Sequence, residues 1–140
     1  MRGDDLRVQW RESFSVGDER IDAQHREFFA EIERIAAAIE GGAGREAVAA
    51  FYRDFVAGLD RHFQDEEDLL ARVRFPDLDL HKAEHQALLS AVKAVEDLVA
   101  ASRSMEELHV IVKRLFCALV EHLLSEDMRY KSHVLAAKGL

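Results

Sequence analysis

Four stretches of this chain repeat seam positions at alternating steps of four and three residues, as helices do when they bury one stripe. What constrains the fold most is that several of these seam positions are not apolar. The first seam is Ile21, His25, Phe28, Ile32, Ile35 and Ile39; the second is Val48, Tyr52, Phe55, Leu59, His62, Glu66, Leu69 and Val73. The third is Leu78, His81, His85, Leu88, Val92, Val95 and Val99; the fourth is Leu108, Ile111, Leu115, Ala118, His122 and Ser125. Any packing that buries the four stripes together also buries five histidines and a glutamate.

The breaks between the seams carry end signals. Asp18 suits an N-cap and Glu19 the first turn, and Gly41-Gly42 with Gly44 ends the first helix. The second helix runs from Arg45 to Val73, where Pro76 disfavours helical geometry at Phe75 and Asp77 can cap the third. Ser104-Met105-Glu106-Glu107 has capping-box form, and helical character extends past Tyr130 towards Ala137. Four long helices joined by short breaks predict an all-α fold, an antiparallel up-down-up-down four-helix bundle. Residues 1–17 lack helical period and read as an extended N-terminal arm, laid over the bundle by Trp10, Phe14 and Val16. Residues 18–137 form the bundle and a short C-terminal helical extension, so 1–140 make one domain.

Charge and cysteine content narrow the partners. A net charge of −8 argues against nucleic acid or an anionic membrane, both of which call for a basic patch. No run of 18 apolar residues is present, and Met1-Arg2-Gly3-Asp4-Asp5 lacks the apolar core of a signal peptide, so a cytoplasmic location is expected. Cys117 is the sole cysteine, which excludes an intrachain disulfide and leaves it to pack as a small apolar residue.

Antiparallel topology brings the start of the first helix, the end of the second, the start of the third and the end of the fourth to one end. At about 1.5 Å of rise per residue, His25, His62, Glu66, His81, His85 and His122 then lie at similar depth. A lone seam histidine is ordinarily a hydrogen-bonded core residue. Six polar side chains at one level are a different matter. Each one buried without a partner costs roughly 1–3 kcal/mol, and an unpaired carboxylate costs more. Together they would consume the net stability of a small domain, about 5–15 kcal/mol. A bound metal removes that penalty by turning the lone pairs into ligand bonds.

Three other residues are placed differently by spacing. Asp127 follows His122 by five residues, roughly 140° round an ideal helix, so spacing leaves it a solvated Asp at a helix end. His133 lies about 16 Å beyond His122 along a helix, too far to share a metal. His109 sits beside the seam at the far end of the fourth helix and is expected to face solvent.

The motifs together resemble the hemerythrin family in its bacterial single-domain form, bacteriohemerythrin, over nearly the whole chain. They are Trp10, Ser15-Val16-Gly17, Ile21-Asp22-Ala23-Gln24-His25, His62-Phe63-Gln64-Asp65-Glu66-Glu67, Pro76, His81-Lys82-Ala83-Glu84-His85, and His122-Leu123-Leu124-Ser125-Glu126-Asp127 with Tyr130. The resemblance implies two iron ions in an oxo- or hydroxo-bridged non-heme centre. It makes His81, His85 and His122 ligands of one iron and His25 and His62 of the other, with Glu66 and Asp127 bridging both. Nine protein bonds and two from the bridge then fill eleven of twelve positions on two six-coordinate irons, leaving one open.

What the resemblance implies is reversible dioxygen binding for storage, delivery or scavenging, by a binding protein rather than an enzyme. Leu119, one turn before His122, and Phe28, one turn after His25, are placed to form an apolar oxygen pocket that excludes water. Two local departures stand out: Arg74 replaces a glycine common in the turn before Pro76, and Leu70 replaces a common Met. Arg74 lacks a glycine's freedom at positive φ, so the turn is expected to differ locally. An alternative is an oxygen or nitric oxide sensor working through a protein partner that the sequence does not identify. A di-iron oxidase of the ferritin type calls for two Glu-x-x-His motifs. Glu106 to His109 alone has that spacing, at the wrong end of the bundle. A phosphotransfer bundle with one exposed histidine leaves the other seam histidines unexplained.

Overall fold

The computed structural model describes residues 10–42, 44–101 and 104–139. The helices are α1 (Glu19–Glu40), α2 (Arg45–Arg72), α3 (Leu78–Ala101), α4 (Met105–Ser125) and α5 (Lys131–Ala137). Each long helix packs on its neighbour in sequence, and α1 closes the ring against α4, which makes the four-helix bundle. No described helix is long and apolar enough to cross a membrane.

Two of the expected N-caps are in place. Asp18 accepts from the Ile21 backbone N–H at 3.0 Å, and Ser104 Oγ accepts from the Glu107 N–H at 3.2 Å. The N-terminal arm differs from expectation. Of its described part, Glu12–Phe14 is a 3-10 turn rather than extended chain, and residues 1–9 lie outside the described residues. Trp10 and Phe14 meet edge-on and both pack tilted against Phe29 of α1, while Val16 is fully buried. Asp22 accepts from the Val16 N–H at 2.9 Å and from the Ser15 hydroxyl, tying the arm to α1. Gly17 is required here, because its φ is +89° and a Cβ would stand 2.9 Å from Leu135.

The core forms two apolar clusters separated by a polar layer. The larger contains Ile32, Ile35, Tyr52, Phe55, Leu59, Val92, Val99, Leu108, Phe116 and Leu119. The smaller contains Val16, Ile21, Leu69, Leu70, Phe75, Tyr130 and Val134. On α1 and α2 site residues fall between the two clusters, His25 between Ile21 and Ile32 and Glu66 between Phe63 and Leu69.

The register of α4 is a correction. Ala118 and Ser125 are exposed, whereas Val112, Phe116, Leu119 and Leu123 are buried beside Leu108, Leu115 and His122. This helix carries apolar residues on most of its circumference, so more than one stripe satisfies the periodicity. Cys117 falls on the outer face and is exposed, not packed. His109 is half-buried rather than facing solvent, and half-buried His133 meets the Phe75 ring edge-on at 5.2 Å between centroids.

The turn after α2 keeps left-handed geometry without a glycine. Arg74 takes φ +56°. Its N–H donates to Ala71 O at 3.2 Å and the Phe75 N–H donates to Leu70 O at 2.9 Å, a Schellman arrangement. Phe75 and Leu70 are both buried in the smaller cluster, so apolar burial holds the strained residue in place. A left-handed L-residue costs about 1–2 kcal/mol, and a glycine gives back about 0.5–1 kcal/mol of that in backbone entropy. Arg74→Gly is therefore expected to stabilise the fold by about 0.5–1 kcal/mol and raise Tm by roughly 2–4 °C. A lowered Tm in thermal denaturation would contradict this origin of the turn.

Candidate metal centre

All seven residues singled out by the sequence meet in the polar layer. His25 comes from α1, His62 and Glu66 from α2, His81 and His85 from α3, and His122 from α4. Asp127 reaches it by a change of winding. The α-helix ends at Ser125, and Asp127–Tyr130 continues as a 3-10 turn that swings the carboxylate inward, where it is 2% exposed. Straight-helix geometry, which leaves Asp127 facing solvent, fails for that reason.

The two carboxylates divide their oxygens between two histidine groups. Glu66 Oε1 lies 2.8 Å from His81 Nε2 and 2.9 Å from His85 Nε2, while Oε2 lies 3.5 Å from His25 Nε2 and 3.4 Å from His62 Nε2. Asp127 Oδ1 lies 3.0 Å from both His81 Nε2 and His122 Nε2, and Oδ2 lies 3.3 Å from His25 Nε2. One group is thus His81, His85 and His122, the other His25 and His62, and each group sees one oxygen of each carboxylate. Either group could hold a metal ion.

Close approach here does not amount to hydrogen bonding throughout. His85 Nε2, His122 Nε2 and Asp127 Oδ1 are buried without a hydrogen-bond partner despite neighbours at about 3 Å. Their lone pairs converge on common points, an arrangement that a cation satisfies and a proton does not.

The outer nitrogens show how the inner ones are freed. His62 Nδ1 stands 2.6 Å from Gln24 Oε1, whose own amide nitrogen donates to Asp65 at 2.8 Å. His85 Nδ1 stands 2.7 Å from Glu67 Oε2, and His122 Nδ1 stands 3.3 Å from Glu84 Oε2. These oxygens only accept, so they hold the proton on Nδ1 and leave Nε2 as a ligand lone pair. Phe63 stacks on His85 with centroids 3.9 Å apart and planes 8° off parallel, which fixes that ring. Tyr130, fully buried, donates to Glu66 Oε2 at 2.9 Å. Gln24, Glu67 and Glu84 each adjoin a ligand-type residue in sequence, on the flank of the seam, and seam periodicity passes over them.

Protonation of the metal-free cluster follows from burial against charge. Burial lowers His25, but hydrogen bonds and charges from Asp127 and Glu66 outweigh it and raise the imidazolium to about 9. The same balance carries His81 to about 10 and raises His122. At His62 burial wins and the shift is downward. Burial raises Glu66 and Asp127, and the Glu66 charge raises Asp127 further, yet the surrounding histidines hold both below the usual carboxylate range. The carboxylates are ionised, and in the absence of metal some imidazoles carry the compensating charge.

A cavity of about 30 Å³ adjoins the layer, lined by His25, His62, His122 and Asp127 on one side and by Phe28, Phe55, Leu59 and Leu119 among others. That volume suits a molecule of two or three heavy atoms. Both residues expected to form an apolar pocket, Phe28 and Leu119, line it.

Comparison with known proteins identifies the family. Residues 16–134 match the model of the hemerythrin HHE cation binding domain. A hemerythrin-like protein of Naegleria gruberi is 32% identical over 124 residues, covering 87% of this chain and 89% of its own. A myohemerythrin of Theromyzon tessulatum is 28% identical over 88% of this chain and 90% of its own. A bacteriohemerythrin of Ralstonia nicotianae is 31% identical over 63% of this chain and 61% of its own. With its domain matched along most of its length and its buried His, Glu and Asp side chains gathered in one layer, the chain belongs to the hemerythrin family.

Proposed function

We propose that this protein binds dioxygen reversibly at two iron ions, for storage, delivery or scavenging, and acts as a binder rather than a catalyst. The observation that carries the reading is the division of Glu66 and Asp127, each offering one oxygen to either histidine group beside a small apolar cavity. His81, His85 and His122 would hold one iron, and His25 and His62 the other. Iron supplies the electrons for reversible dioxygen binding when it is bound. The chain's own residues do the rest. The group with two histidines offers one ligand fewer, and both of them line the cavity, whereas of the other group only His122 does, so an iron held by His25 and His62 would be the one with room for a small ligand. Phe28 and Leu119 keep that side dry and narrow, so water and larger substrates are excluded.

Metal analysis joined to an optical spectrum tests the reading. Two irons per chain and a charge-transfer band that appears in air and disappears on deoxygenation are expected. One zinc per chain and no colour would overturn it.

Loading should also be coupled to protons. His25 and His81, raised to about 9 and about 10, hold protons at pH 7. A metal takes their Nε2 lone pairs only after those protons leave. Metal uptake by the apoprotein at pH 7 is expected to release protons, and affinity to rise as pH climbs towards 9–10. Calorimetry in buffers of different ionisation enthalpy measures the release; zero release would contradict the protonation described for the cluster.

Leu119→Ala tests the pocket. Truncation of this buried residue should cost about 2–5 kcal/mol of stability and admit water beside the iron. Autoxidation of the oxygenated protein is expected to accelerate several-fold, followed by the decay of its optical band. An unchanged rate would remove Leu119 from the exclusion of water.

A further inference from the structure

The two halves of the site differ in more than their number of histidines. Around His81, His85 and His122, the inner contacts to Glu66 and Asp127 are 2.8–3.0 Å. Around His25 and His62 they are 3.3–3.5 Å. The residues behind the imidazoles differ in the same sense. His85 and His122 face the carboxylates of Glu67 and Glu84 through Nδ1, at 2.7 and 3.3 Å. His62 faces only the neutral amide of Gln24, at 2.6 Å, and His25 Nδ1 is buried with no hydrogen-bond partner. Tyr130 adds to the imbalance. Its hydroxyl donates at 2.9 Å to Glu66 Oε2, the oxygen that faces His25 and His62, and draws electron density from that side alone.

Each difference acts on ligand strength in one direction. A carboxylate accepting from Nδ1–H makes the imidazole a stronger donor at Nε2; an amide does so less, and no acceptor least. A phenol hydrogen bond to a carboxylate oxygen weakens that oxygen as a ligand. Loss of one such outer partner typically changes metal affinity 10–100-fold.

We propose that the two positions load in order, His81/His85/His122 first and His25/His62 second, leaving a populated half-loaded state. Glu67 and Glu84 act as positioning residues for the first step, and Gln24 for the second. This rests on the two-metal reading above. Both histidines of the weaker position line the cavity, against only His122 of the stronger one, so the ion with more of its ligands at the pocket is the exchangeable one.

The test is titration of the apoprotein with zinc alone against a competing chelator, with the histidine ring signals followed by NMR. Two steps separated by at least tenfold are expected. The first equivalent should shift His81, His85 and His122 and leave His62 in place. Glu67→Gln should weaken the first step 10–100-fold and spare the second, while Gln24→Leu should weaken the second and spare the first. A simple loss of folding would shift both steps together. A single step with no half-loaded species, or a first equivalent seen at His62, overturns the proposal while leaving two metals per chain. Fewer than two metals at saturation overturns the two-metal reading itself.

Discussion

The structure depends on placing two ionised carboxylates, Glu66 and Asp127, at 0% and 2% exposure in the interior of a small bundle. Burying such groups without compensation is prohibitive. Here five imidazoles surround them, and each carboxylate turns one oxygen to either side. The layer has to be closed by charge. In the metal-free state raised histidines supply it as protons; two cations would supply it more fully, because they also satisfy the lone pairs that no proton reaches.

The remainder of the fold holds that layer in register. The large cluster fixes the four helices against one another below it, and the small cluster of Val16, Ile21, Leu69, Leu70, Phe75, Tyr130 and Val134 seals it above. The second cluster needs the arm and the C-terminal segment, which explains two local features. Gly17 lets the arm pass close to Leu135, and Arg74 accepts a left-handed backbone so that Phe75 can turn inward. Tyr130 belongs to the seal and to the site at once, through its hydroxyl on Glu66. Loosening the seal should therefore disturb the carboxylate geometry as well as stability.

Most of this was legible from spacing. His25, His62, Glu66, His81, His85 and His122 follow from seam periodicity and antiparallel connectivity, since both act on every helix alike. Asp127 does not, because its place depends on where α-helical winding gives way to a 3-10 turn, which no fixed period encodes. The buried stripe on α4 departs from the seam for a related reason. With Val110, Ile111, Val112, Leu115, Phe116, Val120 and Leu123 in one helix, periodicity has no contrast, and packing decides which face turns inward. Gln24, Glu67 and Glu84 lie on the flanks of the seams, where periodicity assigns them no role. Their contribution is an acceptor oxygen placed at an outer imidazole nitrogen, which becomes apparent only once ring orientations are known.

The central claim is that one buried layer of seven side chains holds two cations, bridged by both carboxylates. Anomalous X-ray diffraction at the iron edge from crystals of the iron-loaded protein addresses it directly. Two peaks are predicted inside the bundle, one within bonding distance of His81, His85 and His122 and one of His25 and His62, with Glu66 and Asp127 reaching both. A single peak, or two that do not share these carboxylates, would contradict it.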